Sequence, residues 1–270
     1  MDIISVWYIF PLSIVISSIS MFSGIGGAIL FSPVLFILLG FSPTMAIFTG
    51  LFIEVFGFSS GIIGYLRKRA VEFRIVKQLL PFSIIFAVIG VFVARMIPEM
   101  FLLGILIALL LYLSFKYLYP QTQRLFFHPK VKIIPSLKEC PDIPIGVKVS
   151  QSVGGFLLGM ISSGLGEIQE YVFLKKLNLS IHHASATSVF LVATTALVTI
   201  VAHVIHMITS KSLGLFTQIA PVLIFAIPGV IIGAQVGVYL NGKAESSNTT
   251  DAVFGILFLV LAIFIATRIF

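Results

Sequence analysis

Residues Ile3–Gly40 form a run of 38 residues without a single charge, and no other feature constrains the chain as tightly. As one straight helix the run would extend about 57 Å at 1.5 Å per residue. That is too long for one crossing of a hydrocarbon layer about 30 Å thick, and short for two. It is interrupted at Ser23–Gly27, where Gly24, Gly26 and Gly27 disfavour helix and permit backbone angles that other residues avoid. The run therefore predicts a break near the middle of a membrane, either a re-entrant hairpin or a kink in a crossing helix. Irregular backbone at that depth is tolerated only where protein buries it or a wet cavity borders it, so a functional site is expected there.

Composition points the same way. Of 270 residues, 59% are apolar and 10% charged, with a mean hydropathy of +1.15. A soluble domain carries about 25% charged residues. The chain reads as an all-α polytopic membrane protein, and soluble, disordered, collagen-like and disulfide-rich classes are excluded. Cys140 stands alone, so no intramolecular disulfide and no thiolate metal site is expected. No cleavable signal is expected either, since the N-terminal apolar run lacks a positive n-region and continues past any cleavage point.

The net charge of +7 is concentrated in two stretches. Arg67, Lys68, Arg69, Arg74 and Lys77 against Glu72 make residues 67–77 strongly basic. Lys116, Arg124, Lys130, Lys132, Lys138 and Lys148 against Glu139 and Asp142 do the same for 116–148. These basic residues flank apolar spans rather than forming a nucleic-acid surface. By the positive-inside rule both stretches are cytoplasmic, in a multi-pass protein of the cell membrane. Between them lie two uncharged runs, 78–94 and 100–115, parted by Arg95, Pro98 and Glu99, which fits one excursion out and back.

The chain repeats itself. Ser23-Gly24-Ile25-Gly26 returns 140 residues later as Ser163-Gly164-Leu165-Gly166, and Pro81 returns as Pro221. The stretch from Gly40 to Thr49 returns, at an offset of 138, as the stretch from Asn178 to Thr187. We expect two transmembrane repeats, 1–119 and 147–270, joined by a Pro-rich basic linker over 120–146. Each repeat opens with a Gly-broken helix followed by three spans, near 44–66, 76–95 and 99–119, then 183–208, 214–240 and 250–269. Re-entrant breaks leave each repeat with an odd number of crossings and make the halves inverted, which also puts Lys175 and Lys176 on the cytoplasmic side. Kinked crossing helices would instead give eight spans in parallel halves. Inversion is the expectation. Gly229, Gly233 and Gly237, four residues apart, and Gly90 with Ala94 permit close helix contact.

These paired breaks, with Pro33, Ala46-Ile47-Phe48-Thr49, the basic loop from Arg67 to Arg74, Ala184-Ser185-Ala186-Thr187 and Pro221, resemble the TauE/SafE family of sulfite and organosulfonate exporters. The resemblance spans nearly the whole chain outside the linker. It implies a transporter, not an enzyme, with a small anion as substrate. One departure stands out. The second Gly-x-Gly, usually followed by glycine in this family, is followed here by Glu167-Ile168-Gln169-Glu170.

At the first break the amides of Gly26, Gly27 and Ala28 open a helix whose N-terminal dipole favours an anion. Ser23 and Thr49 add hydroxyls; Ser23, Gly24, Gly26, Gly27 and Thr49 are the expected substrate-binding residues, with Ser163, Gly164, Gly166 and Thr187 as their counterparts in the second repeat. Glu167 falls at the start of the second broken helix. Desolvation there favours its neutral form and the helix N-terminus its charged form, a balance suited to carrying a proton. Glu54, the one charge between Asp2 and Arg67, is an intramembrane acid and so a functional candidate. Glu170, Gln169 and His182 are further candidates for proton coupling.

The reading is a secondary transporter of small anions, with protons as the coupling partner, lipid as its surroundings, and no cofactor, metal or nucleic acid. No P-loop is present to bring ATP drive, and no His-Glu-x-x-His or Gly-x-Ser-x-Gly motif to suggest an intramembrane enzyme. The alternative is a channel or a cation or metal transporter using Glu54, Glu167, Glu170, His203 and His206. The sequence fixes no oligomeric state.

Overall fold

A computed structural model describes residues 3–124, 143–209, 214–241 and 248–269. Cys140 and most of the 120–146 linker lie outside the described residues. Helix occupies both ends of that segment. After a 3-10 turn over Ile3–Val6, the N-terminal half contains α1 (Ile9–Ser23), α2 (Ala28–Leu39), α3 (Pro43–Arg67), α4 (Phe73–Ala94) and α5 (Glu99–Arg124). The C-terminal half contains α6 (Ile145–Ile161), α7 (Leu165–Lys175), α8 (Ile181–Thr209), α9 (Gly214–Asn241) and α10 (Asn248–Ile269). Among the described residues six helices are long and apolar enough to cross a membrane, and α2 and α6 are shorter apolar helices. This is an integral membrane protein.

The breaks fall where the glycines are. Helix α1 ends at Gly24, whose φ of 72° is left-handed. Helix α6 ends at Ser162 with a φ of 58°, and Gly164 follows with a φ of 108°, a conformation that a side chain makes costly. Ser42 caps α3 by accepting the Met45 amide at 3.3 Å, and Pro43 holds its first position.

Close contacts fix the direction of each helix. Along α9, Gly229 lies against Phe10 and Ser13, Gly233 against Ile14, and Gly237 against Ser18 and Met21, so α1 and α9 run in the same sense. Helix α3 shares that sense, because Gly57 meets Val230 and Gly64 meets Val238. Helix α2 opposes it, with Gly27 beside Glu54 and Ser32 beside Gly50. Thus α1 and α2 form a hairpin, not a kinked span. In the C-terminal half Gly155 lies against Ser83, Gly159 against Ala87, and Gly90 against Phe156 and Met160, so α6 runs with α4. Helix α8 also runs with α4, joined by Thr187 to Glu72 and by Thr195 to Ser83. Helix α7 opposes α8, as Glu170 meets Ser185 while Gly166 meets Ser188. The second break is a hairpin too. Since α3 and α4 are joined by the turn at 68–72, the α1–α2 hairpin enters from the end opposite that basic turn, and α6–α7 enters from the basic end.

Two glycine seams hold the molecule together, α1 on α9 and α6 on α4. Between helices in lipid the hydrophobic effect supplies little drive, so close backbone approach carries the association. Gly159→Ala drives a methyl onto the Ala87 carbonyl, and Gly104→Ala on α5 meets nothing within 4 Å. Overpacking of this kind costs about 1–3 kcal/mol. Thermal unfolding in detergent is therefore expected to show a lowered midpoint for Gly159→Ala and an equal or higher one for Gly104→Ala, which gains helix propensity.

Candidate functional site at the crossing of two hairpins

The two hairpins pass each other at their glycines. A Cβ on Gly166 would stand 2.9 Å from the Gly26 amide nitrogen and 3.2 Å from the Gly24 carbonyl oxygen. Only residues without side chains allow this approach. Around the crossing the sequence concentrates polar groups that are otherwise scarce: Glu54, Glu167, Gln169 and Glu170 are all buried, as are Gln151, Ser185 and Ser188.

Glu54 comes from the middle of α3 and Glu167 from the first turn of α7. Their Oε1 atoms lie 3.1 and 3.0 Å from the point where a Gly26 Cβ would sit, so the two acids face one small space. Each also faces a helix N-terminus. The Gly27 and Ala28 amides at the start of α2 approach the Glu54 carboxylate, without reaching hydrogen-bonding geometry. The Gly164 amide donates to Glu167 Oε2 at 2.8 Å, so the Glu167 side chain reaches back to cap the start of its own helix. The protein's own carboxylates thus occupy the places where the helix dipoles favour negative charge. Both oxygens of Glu54, and Oε1 of Glu167, are buried without a hydrogen-bond partner. Such groups are rare in native proteins and call for a physical reason.

A polar belt surrounds the pair. Ser185 donates to Glu170 Oε1 at 3.0 Å, and Glu170 presses on Gly24, where any Cβ would collide with it. The Gln169 amide donates to Gln151 Oε1. Ser188 Oγ lies 3.4 Å from the carbonyls of both Gly24 and Gly166 and 3.3 Å from Gln169 Oε1, tying the two hairpins together. Lys116 on α5 rests its ammonium 3.9 Å from the Tyr171 ring centroid, within electrostatic reach of Glu167 and Glu170.

The family model described as "Sulfite exporter TauE/SafE" matches residues 9–265. The chain belongs to the TauE/SafE family. It is therefore a membrane transporter of the sulfite-exporter class, with a small anion as the implied substrate. No curated protein and no solved structure matches the chain.

Within this TauE/SafE chain the residues singled out from sequence separate into three groups. Gly24, Gly26, Gly27, Gly164, Gly166, Glu54, Glu167, Gln169 and Glu170 come together at the crossing. Thr49 and Ser163 are buried nearby in sequence, with hydroxyls that have no partner. Ser23 caps the end of α1, donating to the Ile19 carbonyl at 2.8 Å. Thr187 lies toward the basic end, accepting from the Glu72 amide at 3.0 Å. His182 is also at that end, 2.8 Å from Asn241 Oδ1 through Nδ1 and tilted against the Tyr65 ring at 5.8 Å between centroids. Tyr65 donates to the Met21 carbonyl at 2.5 Å and so holds the end of α1. His203 and His206 line a cavity near the other end. Among the described residues no group of three or more His, Cys, Asp or Glu stands together as a metal site.

Ser188, Gln151 and Lys116 were not legible as site residues. Serine and glutamine in a helix rich in small residues carry no distinguishing spacing, and Lys116 belongs to a basic stretch that the charge rule already explains.

Proposed function

We propose that this chain moves sulfite, an organosulfonate or a related small oxyanion across the cytoplasmic membrane in exchange with, or together with, protons. The solute sits at the crossing of the hairpins. The observation that carries the reading is the pair Glu54 and Glu167, buried, facing one space, and each set before a helix N-terminus. Two charges no more than about 6 Å apart repel by at least about 3 kcal/mol at an effective dielectric of about 20. An oxyanion added between two carboxylates is excluded more strongly still. A proton on the pair removes that barrier, and the Gly27 and Ala28 amides at the start of α2, which no carboxylate oxygen of the pair engages, are open to the anion. Binding of the anion and binding of the proton are linked in this way, with Glu167 as principal carrier and Glu54 beside it. Glu170, Gln169 and His182 extend the polar path toward the basic end.

The reading includes two inverted repeats, 1–119 and 147–270, joined by the linker 120–146, with the basic loops 67–77 and 116–148 in the cytoplasm. The opposite entry of the two hairpins supports the inversion. A reporter fused after Phe270 is expected to report from outside the cell; an internal signal would require eight spans and parallel halves. The transport itself is tested by uptake of labelled sulfite into proteoliposomes with and without an imposed pH gradient. Methanesulfonate, whose charge does not change near neutrality, is run beside it. Movement of neither anion by the folded protein would overturn the reading.

A further inference from the structure

Between the crossing and the end opposite the basic turn lies a cavity of about 390 Å³, with room for on the order of ten waters. It is bounded by the first turns of α3, the residues after α4, the end of α6 and the last turns of α8. Its polar lining is Thr44, Arg95, Glu99, His203 and His206. Met160, on its wall, is two residues from Ser162 and three from Ser163, whose hydroxyls are buried without partners. Thr49, buried and without a partner, follows the lining residue Phe48.

We infer that this cavity is an anion vestibule, in which Arg95 binds the sulfonate or sulfite group before it enters, or after it leaves, the crossing. The inference rests on the anion reading above. Arg95 is fixed at two points among the described residues. One terminal nitrogen donates to the Ala202 carbonyl at 3.2 Å, and the guanidinium lies 5.1 Å from the Phe92 ring centroid. Among the described residues no carboxylate neutralises it, since Glu99 lines the same cavity but forms no ion pair with it. A guanidinium keeps its charge at every physiological pH and offers a planar fork that matches the oxygens of an oxyanion. His203, held edge-on against the Phe48 ring at 5.9 Å, adds an imidazole with a fixed ring. Glu99 limits the attraction, so the anion is held loosely enough to move on. Beyond the vestibule the hydroxyls of Thr49, Ser162 and Ser163 supply donors toward Glu54 and Glu167. This gives a reason for buried polar atoms that otherwise only cost stability.

The test has two arms on the full-length protein. In the first, phenylglyoxal modifies the folded chain in detergent with and without methanesulfonate, and adducts at Arg95 and Arg69 are compared by peptide mass. Methanesulfonate is expected to slow modification at Arg95 at least fivefold and to leave Arg69 unchanged; equal rates at Arg95 with and without it overturn the vestibule. In the second, transport is measured from the face that carries Arg95. Arg95→Gln is expected to raise the half-saturating anion concentration about tenfold with a maximal rate within twofold, and Arg95→Lys to recover part of the loss. An unchanged half-saturation overturns the vestibule. Protection at Arg95 in a protein that transports neither sulfite nor methanesulfonate would uphold the vestibule and overturn the transport reading.

Discussion

Glu167→Gln is expected to uncouple the transporter. If one proton accompanies each anion, a gradient of one pH unit drives about tenfold accumulation, since one pH unit is worth about 1.4 kcal/mol. Wild-type proteoliposomes should show that accumulation with methanesulfonate. The variant should show none, while still exchanging labelled for unlabelled anion at equal pH. The reason lies in what glutamine keeps and what it removes. Its amide oxygen can still accept from the Gly164 amide, so the start of α7 is retained. It cannot gain or lose a proton, and it cannot repel Glu54. The exchange rate at equal pH is therefore expected to be maintained or raised. A variant that still accumulates anion tenfold per pH unit would show that the proton travels elsewhere. Glu54→Gln is the companion experiment, and equal uncoupling by either substitution would mark the two acids as one unit.

Gly26→Ala should have the second large effect, on flux and not on folding. The added methyl stands 3.0 Å from Glu167 Oε1 and 3.1 Å from Glu54 Oε1. These are tight contacts that the carboxylates can relieve by moving a few tenths of an ångström, so the fold survives. The space between the acids does not. We expect transport to fall at least about tenfold, with a thermal midpoint close to that of wild type. Gly27→Ala next to it meets Ser20 Oγ at 3.4 Å and Glu54 Cγ at 3.9 Å, which are ordinary contacts, and should lose far less. Equal flux in Gly26→Ala and wild type would mean that the anion does not pass between the two acids.

The long spans and both breaks were legible in the sequence because their signals are local. Uncharged runs of fixed length mark crossings, and Gly24, Gly26, Gly164 and Gly166 mark the places where helix fails. Glu54 and Glu167 were legible for a related reason: an acid in an apolar run stands out whatever surrounds it. The partnership between them was not, because it depends on α2 folding back along α3 until Gly27 lies beside Glu54. Nor could spacing tell that Thr187 would not stand beside Thr49. Both lie near the start of their helices, but α3 begins at one end of the molecule and α8 at the other, so Thr187 meets Glu72 instead. The motif recurs, and its surroundings do not. Ser188 was invisible because its role, touching two carbonyls on different hairpins, exists only once the hairpins cross.

The glycine seams have a mechanical consequence. Backbone rests against backbone where Gly233 meets Ile14 and where Gly159 meets Ala87, and contacts of that kind lock helices in register. Each half of the chain therefore has one arm welded into the other: α1 is held to α9, and α6 to α4. The two halves cannot rock as separate blocks without tearing both seams. Any body that keeps its seam intact is a mixed one, built from both halves, and the two meet where Gly166 lies against Gly26.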